Sequence, residues 1–469
     1  MSHQHLQVGD EYSVATDLYQ LTMMYAYFTA DMDTEATFEY FVRRLPKNRR
    51  FLLFCGLEQA LAALRDMRFS GETIDYLRSV PGFANVGDPE ARERFFGWLR
   101  AFRFDCEVRS APEGTVFFPN EPVVQIHGSL LQGQLVETYL LSVLNFPTLV
   151  ARKAARVKLA AGGRKLVDFG TRRAHGPSAG LAAARAAYIA GFDGTSNVLA
   201  GQRLGVPIVG TAAHAYTMAF SAEADAFAHY LATYPHSTTL LIDTYDTLRG
   251  ADRAADLGTA VGGVRLDSGD LGALAKEVRT LLDARGLPDT KIVASSDLNE
   301  YKIRDLIADG APIDTFGVGT ELVTSRDDPT LAGVYKLVEK RLGEELMPTM
   351  KFSSSKPSYP GRKDLYRVVD LHGRVAAGIL TQVGEPPPTM SGGDRMISVL
   401  ETVFANGAPV GDAPSLEEVR AHAQRQVATL PEALRGLDGD APDGPGFLVS
   451  PATTRKIQQC QERFAVEQA

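Results

Sequence analysis

The sequence predicts an α/β protein built around a parallel α/β barrel, with mixed helix-and-strand regions on either side of it. The first observation is a repeated unit between residue 164 and about 337. A short apolar run leads into a Gly/Ser/Thr/Asp-rich turn, and a helix follows. The runs are LVDFGTRR (166–173), AGFDGTSN (190–197), PIVGTAAH (207–214), LLIDTYD (240–246), GVRLDSGD (263–270), KIVASSD (291–297) and IDTFGVGT (313–320). The second is what separates them: good helix formers at 181–189, 271–285 and 299–309. Seven alternating units call for parallel strands and right-handed crossovers, and a closed or nearly closed barrel is their natural packing. A doubly wound open sheet is the alternative, and periodicity does not separate the two. The third is the position of polar residues. Asp168, Asp193, His214, Asp243, Asp267, Asp297 and Thr320 fall at or just beyond the C-terminal end of a predicted strand. In a barrel those ends share the face that holds the active site.

Around this centre the pattern is less regular. Residues 16–30 read as a helix, with Leu18, Leu21, Thr22, Tyr25 and Phe28 at helical spacing. Residues 37–41 and 51–54 read as extended. Residues 116–126 read as strand, turn and strand about Pro119-Asn120-Glu121-Pro122, and 130–143 as a buried apolar helix. From 350 onward the chain is mixed again, with a Ser/Lys/Pro/Gly loop at 353–363 and a Gly/Asp/Pro linker at 439–446. The expected division is an N-terminal α+β region (1–145), a barrel (146–350) and a C-terminal segment (351–469).

Composition narrows the function classes. Of 469 residues, 45% are hydrophobic and 23% charged, enough apolar content for a large core. The net charge of -8 argues against bulk attraction to nucleic acid, so an anionic substrate needs a local cationic cluster. Cys55, Cys106 and Cys460 are far apart and odd in number, which disfavours a disulfide framework or a cysteine metal site. His3 and His5 lie in a polar N-terminus and read as a terminal tail rather than a metal site. With no apolar leader and no membrane-length apolar run, the expected location is the cytoplasm.

Several motifs carry possible chemistry. Phe316-Gly317-Val318-Gly319-Thr320 lets backbone N–H groups approach a phosphate, and Thr320 adds a hydroxyl. Asp267-Ser268-Gly269-Asp270 opens a helix whose N-terminus attracts an anion. Each is also an ordinary strand-to-helix turn. Five cations crowd Arg43 to Arg50, and a second basic stretch runs from Lys351 through Lys356 to Lys363; both are phosphate grips or solvated charge runs. Arg172 and Arg173 suit a carboxylate or phosphate, and Phe169 and Tyr19 offer flat faces to a ring. His214 is either a satisfied strand-end residue or a nucleophilic imidazole; no second histidine is near enough in sequence to suggest a metal pair. Residue chemistry alone thus reaches an enzyme for a phosphorylated or otherwise anionic substrate.

The motifs also resemble those of the nicotinate phosphoribosyltransferase family. TDLYQLTM (16–23), the FVRRLP stretch, FCGLEQAL (54–61), DFGTRRAHGP, GFDGTSNVLAG, GVPIVGTAAHA, LLIDTYDTLRG, GVRLDSGDL, ASSDLNE, FGVGTELVT, GVYKLV (333–338) and the PGRKDLYR stretch occur in order from 16 to 367. The resemblance implies an irregular α/β barrel joined to a split α+β domain, normally in a homodimer. Its substrates would be nicotinate and phosphoribosyl pyrophosphate with Mg²⁺, giving nicotinate mononucleotide and pyrophosphate. ATP would phosphorylate His214, with Asp243 as a second catalytic group. Tyr19 (from the partner), Phe169, Arg172, Thr211 and Arg265 match positions around the pyridine ring and its carboxylate. Arg43, Asp193, Asp297, Gly319, Thr320 and Lys356 match the phosphoribosyl and phosphate end, and the metal ligands stay unassigned.

Two departures from the family pattern are His175, where glutamine is commoner, and Ala215, where serine is commoner. They bear on the geometry of the histidine loop, not on the reaction. The rivals are the sister activity on nicotinamide, quinolinate phosphoribosyltransferase, and a non-catalytic metabolite-binding relative.

Overall fold

The computed structural model describes residues 11–351, 358–386, 388–390, 393–438 and 444–468, without the side chains of 466–468. Two compact units form. Residues 149–329 and 435–438 make a parallel unit; 11–148, 330–434 and 444–468 make a largely antiparallel one.

A long helix, α1 (Glu137–Ala160), leads into the parallel unit. Then follow β1 (Lys165–Asp168), α2 (Pro177–Ile189), β2 (Gly194–Thr195), α3 (Val198–Leu204), α4 (His214–Met218), α5 (Glu223–Thr233), β3 (Thr239–Leu241) and α6 (Thr247–Ala255). The unit continues with β4 (Gly263–Leu266), α7 (Leu271–Ala284), β5 (Lys291–Ala294), α8 (Glu300–Ala308), β6 (Thr315–Val318) and α9 (Thr320–Val323). All six strands are parallel, in the order β2-β1-β6-β5-β4-β3. Leu166, Val167, Val264, Leu266, Ile292, Ala294, Phe316 and Val318 are all buried, as short apolar strands covered on both faces must be. Asn197, Asp246, Asp270 and Asn299 cap the following helices, each accepting from backbone N–H groups of the first turn. Part of the polar character after the strands is therefore capping.

Two expectations change here. The run 207–214 makes no strand, only a single bridge from Ile208 to Thr195. Pro207 has no N–H to extend the ladder, and the bridge consists of Thr195 N donating to the Pro207 carbonyl at 3.0 Å and Val209 N donating to the Thr195 carbonyl at 2.9 Å. The second concerns Asp193. The apolar residues before it end α2 and its turn, so the strand begins only at Gly194. Asp193 thus precedes its strand, and its carboxylate accepts from Leu166 N at 2.9 Å, near the start of β1. It stands at the N-terminal end of the sheet, away from the other polar residues.

In the antiparallel unit, one seven-stranded sheet mixes both ends of the chain. Its order is Glu345–Pro348, Gly333–Leu342, Glu35–Val42, Val124–Ser129, Glu107–Ser110, Glu401–Ala405 and Ala408–Pro409, antiparallel throughout. A four-stranded mixed sheet collects Arg395–Ser398, Lys363–Val369, Val375–Gln382 and Gly446–Val449. The 16–30 helix is present as Leu18–Thr29. The 116–126 segment holds two strands that do not form a hairpin: Val116–Phe117 pairs with Leu52–Leu53, and Val124–Ser129 with Glu35–Val42 and Glu107–Ser110. The helix expected at 130–143 is two helices, Leu130–Leu135 and α1.

Candidate active site

Because the sheet is parallel, the turns after β1, β6, β5, β4 and β3 leave from one edge. Arg265, third in β4, is fixed there by three hydrogen bonds. It donates from Nε to Ser295 Oγ, from Nη1 to Thr211 Oγ1 and from Nη2 to Asp267 Oδ1, each at 2.7 Å. Its guanidinium carbon lies 5.5 Å from the centroid of the Phe169 ring, within cation–π range. Phe169 leaves β1 and lies over Gly317 of β6, where a Cβ would come within 2.4 Å of the ring. Gly170, next along, has room for no side chain either: a Cβ would meet Val323 Cγ1 at 2.1 Å. The two glycines seat the aromatic ring beside a cation that cannot swing away.

Asp267 links this cradle to His214. Ser295 donates to Asp267 Oδ1 at 2.5 Å, and His214 Nε2 stands 3.8 Å from Asp267 Oδ2. Burial alone would raise the Asp267 carboxyl; the Ser295 hydroxyl, the Arg265 guanidinium and His214 outweigh it and hold the group below its ordinary value. His214 opens α4, with 39% of its side chain exposed, and its Nδ1 is 3.2 Å from Thr244 Oγ1. Asp243, just before Thr244, accepts from Asp267 N at 2.9 Å and Ser268 Oγ at 2.6 Å. Its second oxygen, Oδ1, is buried with no hydrogen-bond partner among the described residues.

The other strand ends divide into supports and open turns. Asp168 is buried; it accepts from Thr195 Oγ1 and Gly170 N, both at 2.8 Å, and turns the chain toward Phe169. Burial pushes its carboxyl up, against the pull of those two bonds. Ser296, one residue before the exposed Asp297, has φ +132°, outside the left-handed helical region and costly for a residue with a Cβ. Gly319 and Thr320 follow β6 on the same edge. The anion expected at the start of α7 has a competitor within the chain: Asp270 Oδ1 already accepts from Gly272 N and Ala273 N, both at 3.1 Å.

The parallel unit therefore gathers Phe169, Thr211, His214, Asp243 and Arg265 into one connected cluster, with Asp297, Gly319 and Thr320 on turns of the same edge. Arg172 lies exposed on a single helical turn after Phe169, and Asp193 is at the far end. In the antiparallel unit, Tyr19 is 47% exposed, its hydroxyl pKa raised by partial burial and by Glu137. Arg43 has Nε and Nη2 buried without hydrogen-bond partners among the described residues. Burial lowers the pKa of Lys336, and nearby Arg43 and Lys351 lower it further, so three cations share that neighbourhood. His3, His5 and Lys356, with residues 353–357 of the 353–363 loop, lie outside the described residues.

Sequence reasoning passed over Ser295 and Thr244, although each stands just past a strand, as the assigned residues do. It also missed Lys153 and Arg156 on α1, buried against Glu300. Among the described residues no group of three or more His, Cys, Asp or Glu side chains is arranged to hold a metal ion, and no helix is long and apolar enough to cross a membrane.

Comparison with known proteins places this geometry in a family. A model of the nicotinate phosphoribosyltransferase N-terminal domain matches residues 14–145, and one of the nicotinate phosphoribosyltransferase family matches 164–371. The chain is 43% identical over 430 residues to nicotinate phosphoribosyltransferase pncB2 of Mycobacterium tuberculosis, covering 90% of this chain and 88% of that protein. It is 42% identical over 371 residues to nicotinate phosphoribosyltransferase of Bacillus subtilis, covering 77% and 74%. The crystal structure of human nicotinic acid phosphoribosyltransferase superposes with a TM-score of 0.81 at 30% identity, over 95% of this chain and 99% of that one. A connected His–Asp–Arg cluster at the strand ends, and a match running through both units, lead to one conclusion: the chain belongs to the nicotinate phosphoribosyltransferase family.

Proposed function

We propose that this chain joins nicotinate to the phosphoribosyl group of phosphoribosyl pyrophosphate, and that ATP drives the reaction through a phosphate carried on His214. The observation that carries the substrate is Arg265. Three hydrogen bonds and the Phe169 ring hold its guanidinium in place, so an aromatic acid stacking on Phe169 finds a pre-set partner for its carboxylate. Nicotinate carries that carboxylate; nicotinamide does not.

In the reaction the pyridine nitrogen forms a bond to C1 of the ribose while the C1–O bond to pyrophosphate breaks, and the leaving oxygen takes the electron pair. The chain contributes position and charge. Arg265 and Phe169 orient the ring, the Asp297 carboxylate favours the cationic ribose, and Arg43, Lys356 and the Gly319–Thr320 turn receive phosphate oxygens. Arg172 supplies a further cation after Phe169. Asp193, at the opposite end of the sheet, acts by holding β1 in place. Mg²⁺ would neutralise charge on the donor's phosphates, a role it fills with one or two carboxylates rather than a full protein cage. The buried, unpartnered Asp243 Oδ1 and the exposed Asp297 suit that mode. For the ATP step, Thr244 orients the imidazole through Nδ1 and Asp267 faces Nε2, as stabilisation of a charged ring requires.

Three structural readings belong with this proposal. The strand order β2-β1-β6-β5-β4-β3, which is chain order around a ring opened between β2 and β3, supports an irregular barrel with its gap there, beside the 207–209 segment. The sheet shared by both chain ends supports a split α+β domain formed by the N- and C-terminal regions. Tyr19, exposed on its own chain, suits a homodimer in which it caps the partner's ring site. The expected setting is cytoplasmic NAD salvage. The test is pyrophosphate release from phosphoribosyl pyrophosphate with nicotinate or nicotinamide, each with and without ATP. Nicotinate-dependent release stimulated by ATP is expected; release only with nicotinamide moves the chain to the sister activity, and none with either leaves a binding protein.

A further inference from the structure

Helix α1 buries three cations, Arg152, Lys153 and Arg156, and the last two meet one carboxylate. The Lys153 side chain is 1% exposed and that of Arg156 0%. Lys153 Nζ lies 2.7 Å from Glu300 Oε2, 2.9 Å from Asp327 Oδ1 and 3.7 Å from Glu321 Oε2. Arg156 donates from Nε to Glu300 Oε1 at 2.7 Å and from Nη2 to the Tyr301 hydroxyl at 2.8 Å. As a source of net stability such a cluster is a poor choice, since dehydrating the charges cancels most of their attraction and apolar packing does as well. Fixed geometry is what apolar packing does not supply.

The carboxylates sit where geometry matters. Glu300 begins α8, three residues beyond Asp297, and Glu321 directly follows Thr320. Between β5 and α8 lies Ser296 with its φ of +132°, a conformation that persists only where surrounding contacts over-determine it. The ion pairs at Glu300 hold the start of α8, four residues beyond Ser296, and Lys302 Nζ donates to the Asp297 carbonyl at 2.8 Å. We propose that Lys153 is a positioning residue for the phosphoribosyl donor: through Glu300 and Glu321 a single ammonium fixes the Ser296–Asp297 and Gly319–Thr320 turns relative to each other. Lys153 touches no substrate in this arrangement. The inference rests on the proposal above that these two turns receive the donor.

The test compares Lys153→Met, Lys153→Arg and Glu321→Gln in the full chain. It reads kcat, KM for phosphoribosyl pyrophosphate, KM for nicotinate, and the thermal midpoint. A loosened donor site raises KM for phosphoribosyl pyrophosphate about tenfold in Lys153→Met while KM for nicotinate stays within about twofold. Glu321→Gln, which unties only one turn, moves the same constant by less, and Lys153→Arg restores most of it. If Lys153→Met does not fold, the Glu321→Gln result decides. Folded variants with unchanged KM for the donor overturn the inference even if their thermal midpoints fall, because a merely structural role predicts that pattern. A wild-type chain that does not use the donor overturns both this inference and the function on which it rests; active wild type with unmoved variants overturns this one alone.

Discussion

Arg265 and Thr211 are joined by a 2.7 Å hydrogen bond that ties β4 to a segment forming no strand of its own. Thr211 stands three residues before His214 and passes its own hydroxyl hydrogen toward the Ala212 carbonyl at 3.2 Å. The Arg265–Phe169 pair and the histidine loop thus share an anchor, and disturbance at one reaches the other.

From this it follows that Arg265→Ala removes more than a charge. The Asp267 carboxylate loses its main cationic partner, and Thr211 loses its link to β4. Expected is a fall in kcat/KM for nicotinate of about 30- to 100-fold, the cost of about 2–3 kcal/mol for a charge-assisted hydrogen bond. Arg265→Lys retains charge without the three-way fork and recovers only part of it. Steady-state kinetics with nicotinate and nicotinamide check this: an equal loss for both substrates would remove the carboxylate role from Arg265.

His214→Ala is expected to abolish ATP stimulation and acid-labile phosphate incorporation from γ-labelled ATP. Thr244→Val, which removes the hydroxyl 3.2 Å from Nδ1, slows phosphate incorporation while retaining the nucleophile. Autoradiography of the protein after a short incubation separates the two. Persistent labelling of His214→Ala places the phosphate elsewhere.

Legibility in the sequence followed chain locality. Asp267 and His214 are legible because each lies just past an apolar run; Arg265 sits inside its run and is marked only by the resemblance to the family. Asp193 falls elsewhere because residues 190–192 form the turn after a helix instead of a strand, and β2 is only two residues long. The 207–209 run looked like a strand because apolar content does not reveal that Pro207 lacks a ladder donor. Nothing in the local sequence marks Lys153 and Arg156 as buried. Their partner Glu300 is 147 and 144 residues away in sequence, a distance at which no periodicity signals burial.

Gly317→Ala tests the seat of the aromatic ring. A Cβ there would stand 2.4 Å from a Phe169 ring carbon, so the ring must tilt off β6 and away from the guanidinium. Overpacking of this kind costs about 1–3 kcal/mol in stability. The expected signature is a lower thermal midpoint with a raised KM for nicotinate. Phe169→Leu, with a smaller side chain, should relieve the stability loss of Gly317→Ala without restoring nicotinate binding. If the double variant regains ordinary KM, the ring does not contact the substrate.

Asp267 predicts the acid limb of stability. Its pKa in the folded chain lies below the ordinary value near 3.9, because Ser295, Arg265 and His214 together outweigh the cost of burial. The sign follows directly: a carboxyl that binds its proton less readily when folded stabilises the fold above its unfolded pKa. That contribution is lost as pH falls through the unfolded value toward the folded one. In Asp267→Asn the contribution is absent at every pH. Thermal midpoints of the two proteins should therefore differ most near pH 7, and the gap should narrow progressively as pH falls below about 4 toward the lowered folded value. A gap that stays constant down to pH 3 would assign the loss in Asp267→Asn to packing and remove the ionic link between Arg265 and His214 from the account.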